Sequence, residues 1–165
     1  MKNILIIIVC FFALNQVQSQ TKKQYLKAAE KSLAIKDYKS AMVNFQIAAE
    51  FDPGDPELLF KIAESARNFH AYTKAEQYYT LLQLSERKNE PQFKESLFWL
   101  GEVQTIQGKY TEAQDNYNLY ISQNEGAENE NVTVAKQRLE SLDWAIKNAS
   151  DSVEFYKVEQ LGSDV

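Results

Sequence analysis

The chain of 165 residues holds one cysteine, Cys10, and one histidine, His70. Cys10 sits in the apolar stretch of "MKNILIIIVCFFALNQVQSQ". It follows Val9, where a lipoprotein anchor needs a small residue, and it leaves with the stretch if that is cleaved. The remainder then has no disulfide framework, no thiol nucleophile and no cysteine metal site. With 3 prolines and 5 glycines, turn formers are too few for a many-stranded sandwich or barrel. Phosphate loops, HExxH and GxSxG are missing, and the acids do not fall in metal-loop spacing. His70 stands at a predicted hairpin turn without a nucleophile or carboxylate held beside it, so it reads as a solvated surface residue. The expectation is no enzyme, no cofactor, no metal and no small-molecule substrate. Arginine clusters are also missing. Lys and Arg number 18 against 23 acids, a net charge of −5. Loss of Met1–Ser19 removes one cation, Lys2, and no acid, so −5 becomes −6. Such a surface is expected to repel nucleic-acid phosphates and anionic lipid.

What is present divides into three parts. Residues 1–19 carry Lys2 and an apolar run from Ile4 to Leu14, too short to span a bilayer. Val17 and Ser19 fit the small-residue cleavage rule, which predicts a signal peptide and export with Gln20 as the new N-terminus. The rest is rich enough in apolar residues, 44% over the chain, to build a core. The mature domain is expected not to insert in a membrane.

The second part repeats. "DYKSAMVNF", "AYTKAEQYY" and "KYTEAQDNY" align Tyr38, Ala41, Phe45 and Ala48 with Tyr72, Ala75, Tyr79 and Leu82, then with Tyr110, Ala113, Tyr117 and Tyr120. Upstream, "YLKAAEKSLAIK", "LLFKIAESARNFH" and "LFWLGEVQTIQG" each set a small residue (Ala29, Ala63, Gly101) after an apolar pair. Spacings of three and four make both kinds of segment amphipathic helices, and the small residues let paired helices approach closely. "FDPGDPE" stops a helix at Phe51 or Asp52, and Pro56 and Pro91 open the next ones. After the polar "NEGAENEN", the residues Val132, Ala135, Leu139, Leu142 and Trp144–Ala145 predict a seventh helix that caps the last layer.

A period near 34 residues with this pattern resembles the tetratricopeptide family over roughly residues 22 to 125. Leu100, Gly101, Tyr110, Ala113 and Tyr117 fill consensus positions in the third copy; Ala41, Phe45, Ala48 and Pro53 do so in the first. Tyr25, Leu59 and Leu97 stand where the family has Trp, and "SERKNEP" adds four residues. The resemblance implies an all-α tetratricopeptide solenoid. Its domain covers residues 20–148, with repeats at about 22–55, 56–89 and 94–127 and a capping helix at 129–148.

The resemblance also implies that the first helix of each repeat lines a concave groove. Counting from Lys22, Pro56 and Lys94, the fifth positions are Leu26, Phe60 and Phe98, and the ninth are Glu30, Glu64 and Glu102. Trp99 lies beside this ladder, with Arg67 as a lone cation. The expected partner is a protein or peptide segment with basic and apolar groups. Leu26 and Glu30 occupy positions where carboxylate-clamp members of the family carry Lys and Asn, which speaks against capture of a terminal carboxylate.

Residues 149–165 read as a linker or the start of a β domain, with alternation at Val153, Phe155, Tyr156, Val158 and Leu161. Cleavage at "SQ", three repeats, "AKQRLESLDWAIKNA" and "VEQLGSDV" resemble the start of certain Bacteroidetes outer-membrane proteins. In those a β-propeller and a peptidoglycan-binding domain of the outer-membrane protein A type follow, and some serve type IX secretion. This implies an envelope scaffold facing the periplasm; the alternative is a free-standing periplasmic holdase. "DSV" makes Ser152 a candidate for O-glycosylation, while the sequons at Asn131 and Asn148 are discounted in a bacterial protein.

Overall fold

A computed structural model describes residues 21–126 and 129–152, with side chains up to 148. The signal-peptide residues, the alternating segment from Val153 onward and the side chain of Ser152 lie outside the described residues. Seven helices follow one another: α1 (21–34), α2 (Tyr38–Ala49), α3 (Pro56–Asn68), α4 (Tyr72–Gln83), α5 (Ser96–Ile106), α6 (Tyr110–Gln123) and α7 (Glu130–Ser152). No strand occurs among the described residues.

The hairpin turns share one backbone device. Lys36, His70 and Gly108 have φ of 59°, 61° and 74°, the left-handed region. Around each, two hydrogen bonds close the helix end. Those of the next residue are Asp37 N to Ser32 O, Ala71 N to Ala66 O and Lys109 N to Gln104 O, each 2.9 Å. Bonds from the positive-φ residues themselves (Lys36 to Leu33, His70 to Arg67, Gly108 to Thr105) complete a Schellman motif. Only the third turn uses glycine. His70 is exposed and serves as a turn residue. Between repeats the caps are local: the Asp55 carboxylate accepts from Glu57 N at 3.0 Å, and Pro56 takes the first helical position.

Packing is by consecutive pairs. Ala41, Phe45, Ala48, Ile62, Ala63, Ala66, Ala75 and Tyr79 form one fully buried core. Leu97, Phe98, Ala113, Tyr117, Tyr120, Val132, Ala135 and Leu142 form another, across α5, α6 and α7. Each large side chain removed from water there contributes about 1.5–3 kcal/mol. Ala29 and Ala63 are fully buried, and Gly101 does what the pattern predicts, since it admits the Tyr117 ring from the facing helix.

The insertion alters the third repeat. Pro91 opens a 3-10 turn, Pro91–Phe93, rather than the helix itself, and α5 starts only at Ser96. Phe93 is 1% exposed and plugs the seam between Leu59 and Leu82. The Ser96 hydroxyl donates to Phe93 O at 2.6 Å and accepts from Gln83 at 2.7 Å, so the extra residues are pinned at both ends. Beyond the third hairpin, α7 continues to Ser152, past the residue 148 expected for the cap.

Candidate partner-binding groove

Contacts between odd-numbered helices define the groove wall. Lys61 of α3 meets Glu30 of α1, Arg67 of α3 stacks on Trp99 of α5, and Arg138 of α7 meets Glu102 of α5. Helices α1, α3, α5 and α7 therefore stand side by side, and α7 takes the place of the first helix of a fourth repeat.

The three groove glutamates hold equivalent positions, and two of them, Glu64 and Glu102, share the same surroundings. Fifteen residues after Glu64 comes Tyr79, whose buried hydroxyl donates to the carboxylate. Fifteen after Glu102 comes Tyr117, donating at 2.6 Å. The counterpart of Glu30 is Phe45, which has no hydroxyl; there Lys61 pairs with Glu30 and lies 5.4 Å from the Phe45 ring centre. Each carboxylate also has a cation. Arg67 Nη2 donates to Glu64 at 2.7 Å and its Nε reaches the Tyr79 oxygen at 3.2 Å. Arg138 grips Glu102 with Nε at 2.7 Å and Nη2 at 3.2 Å.

The electrostatics follow from burial. Burial, and then the Glu64 charge, drives the Tyr79 phenol well above its ordinary pKa. Burial and the hydrogen bond to Glu102 do the same for Tyr117. Both phenols thus remain neutral donors. Burial alone would lower the Arg67 pKa, but Glu64 and Tyr79 outweigh it and raise it. The Glu30–Lys61 pair is the wettest of the three, its side chains 51% and 41% exposed, so it contributes at most about 1 kcal/mol.

Two sequence expectations need correcting. Arg67 is no lone cation: it is hydrogen-bonded to Glu64 and Tyr79 and lies 3.8 Å from the Trp99 ring centre. Phe98 is no groove anchor: it is 3% exposed and packs against Trp99, Tyr117 and Tyr120. Helix α5 is buried on most sides because α6 packs on one and α4 on another. Leu26, Phe60 and Trp99 remain half-buried on the wall, with Phe60 resting on Phe93 at 5.5 Å between centres.

The sequence pattern missed a second carboxylate hub. Glu95 accepts from Tyr120 at 2.7 Å, Asn129 at 3.0 Å and Asn131 at 2.6 Å, joining the start of α5, the end of α6 and the root of α7. The sequon amide of Asn131 is thereby engaged inside the fold. Lys109 and Gln107 similarly hold Glu76 across the second and third hairpins, at 2.6 and 3.0 Å.

No protein-family profile matches the chain, and no curated protein matches it either. Solved structures do match. The type III secretion translocator chaperone SycD of Yersinia enterocolitica is similar with a TM-score of 0.65 at 19% identity, over 81% of this chain and 91% of that one. The Arabidopsis OM64 tetratricopeptide domain gives 0.62 at 16% identity, over 75% and 98%. PcrH, solved with the chaperone-binding region of PopD, gives 0.62 at 16%, over 77% and 94%. At such identities the likeness is one of fold: the chain is an all-α solenoid of the tetratricopeptide type.

Proposed function

We propose that the chain is a non-catalytic scaffold that holds a segment of a partner protein in the groove formed by α1, α3, α5 and α7. One observation carries the reading: neighbouring groove helices are latched to each other, by Lys61–Glu30, Arg67–Trp99 and Arg138–Glu102. A wall fixed before binding loses little entropy when a segment docks. Support comes also from proteins of the same fold solved with bound segments, SycD with a YopD peptide and PcrH with a region of PopD.

The latches change the expected partner chemistry. A basic group on the segment competes with Lys61, Arg67 and Arg138 for carboxylates that are already paired. Apolar contact with Leu26, Phe60 and Trp99 then supplies the affinity, and charge refines the register. The setting we infer is the bacterial envelope, facing the periplasm, with the chain as N-terminal module of an outer-membrane-associated protein. That SycD is a translocator chaperone keeps the periplasmic holdase as a second reading.

A photo-crosslinking residue at Phe60, compared with one at the exposed Gln77 of α4, tests the proposal in cells of the source organism. A few defined adducts at position 60 alone, in the outer-membrane fraction, support the scaffold. A broad smear of soluble adducts supports the holdase, and adducts confined to position 77 overturn the groove assignment.

A further inference from the structure

The net charge of −5 is not evenly spread. The three hairpin turns lie side by side along one edge of the solenoid. Lys39 of the first hairpin reaches over the Phe69 ring at the second turn, 6.0 Å from its centre. At the third turn Gln107 and Lys109 bond to Glu76 of the second hairpin. Every turn presents a large apolar side chain to solvent: Ile35 is 71% exposed, Phe69 43% and Ile106 56%. Single exposed hydrophobics need no explanation, but here one stands at each of three successive turns, directly before the positive-φ residue at Ile35 and Phe69 and one position earlier at Ile106.

Lysines flank the row, with Lys31, Lys36, Lys39 and Lys74 all exposed. The acids on this edge are largely committed. Asp37 caps α2 through the Ser40 N–H, and Glu76 is held by Lys109. Glu112 sits in the first turn of α6, where the helix dipole offsets it. The opposite edge is more acidic: the connection between α2 and α3 sets Glu50, Asp52, Asp55 and Glu57 against Lys22, and the next one mixes Glu86 and Glu90 with Arg87, Lys88 and Lys94. The expectation that the chain repels anionic lipid treats this divided charge as uniform.

We propose that the turn edge is a peripheral docking surface for an anionic lipid bilayer. Ile35, Phe69 and Ile106 enter the boundary between headgroups and acyl chains, and the lysines meet the headgroups. Each lysine near such a surface adds to the attraction, and the apolar tips add burial that neither a neutral bilayer nor charge alone supplies. Tyr72 and Tyr110, half-buried at the starts of α4 and α6, have the amphipathic character found at such boundaries. Among the described residues no helix is long and apolar enough to cross a membrane, so the contact is at the interface.

The test uses the full chain with Cys10→Ser and a single new cysteine bearing an environment-sensitive fluorophore. Thr73→Cys and Thr111→Cys report on the turn edge, and Glu57→Cys on the opposite edge. The probes are vesicles of phosphatidylglycerol mixed with phosphatidylcholine, and of phosphatidylcholine alone. Emission at 73 and 111 is expected to rise and shift to the blue only with the anionic vesicles. It should weaken between about 0.05 M and 0.5 M NaCl, while 57 stays silent. Ile35→Asp with Ile106→Asp, and separately Lys36→Glu with Lys74→Glu, should lower vesicle affinity roughly tenfold or more with unchanged helix content. An equal response at 57 overturns the proposal and puts adhesion in the N-terminal apolar run. Silence at 73 and 111, or variants that bind as tightly, also overturns it and leaves a protein as occupant of this edge.

Discussion

Gly101 lies so close under the ring of Tyr117 that a methyl group at its Cα would meet Cε1 at 2.8 Å and Cζ at 2.9 Å. Tyr117 cannot easily retreat, because its hydroxyl is held by Glu102 at 2.6 Å. Gly101→Ala should therefore lower stability by about 1–2 kcal/mol, although alanine is the better helix former. Gly54→Ala, with nothing within 4 Å, is the control and should be near neutral. Ala113→Leu overpacks the same hairpin and should cost about 1–3 kcal/mol. Denaturant unfolding of the three variants decides it.

The two turns that lack glycine are open to improvement. Lys36 and His70 hold a left-handed backbone at φ near 60° that costs a side-chain-bearing residue about 1–2 kcal/mol. Lys36→Gly and His70→Gly should each raise stability by roughly 0.5–1 kcal/mol after the greater freedom of glycine in the unfolded chain is counted. Gly108→Ala should lower it by about 1 kcal/mol. Melting temperatures that move the other way would mean these turns relax.

Acid should loosen the root of the seventh helix. Burial pushes the Glu95 carboxyl upward, but hydrogen bonds from Asn131, Tyr120 and Asn129 outweigh it and hold its pKa below the ordinary range. A carboxyl with a depressed folded pKa stabilises the fold above its unfolded value. That contribution is lost as pH falls through the folded one. Stability should thus decline as pH drops below about 4.3, and Glu95→Gln should flatten that part of the profile. Melting curves across the acid range, read for both proteins, test the sign.

Arg67→Ala removes the groove's most connected cation. It exposes the face of Trp99 and leaves Glu64 with Tyr79 but no positive charge. The expected loss is about 1–3 kcal/mol, with a red shift of Trp99 emission in a Trp144→Phe background. An unshifted spectrum would show that the indole is held by Phe98 alone.

How much could be read beforehand depended on distance along the chain. Helix pairs, small residues at the crossings and the turn at His70 come from spacings of three, four and seven, so the repeat disclosed them. The latches join residues 31 to 36 apart in sequence, such as Lys61 with Glu30 and Arg138 with Glu102, and need the stacking itself. One signal was available: a glutamate followed fifteen residues later by tyrosine, twice in register, at Glu64–Tyr79 and Glu102–Tyr117. The burial of Phe98 was not legible because its register matches that of Phe60, and only the rings of Trp99, Tyr117 and Tyr120 distinguish the two sites. Two of those rings belong to α6, the next helix along the chain, and periodicity within one helix says nothing of them. Asn129 and Asn131 look like an ordinary polar break until Glu95 is brought beside them.

The length of α7 has a mechanical meaning. It runs for 23 residues where α3, the same layer's second member, runs for 13. At 1.5 Å per residue the ten extra residues are about 15 Å of rod. Among the described residues the array therefore ends in a strut that carries Ser152 well clear of the third hairpin. A helix of that length works as a bracket, not as a lid.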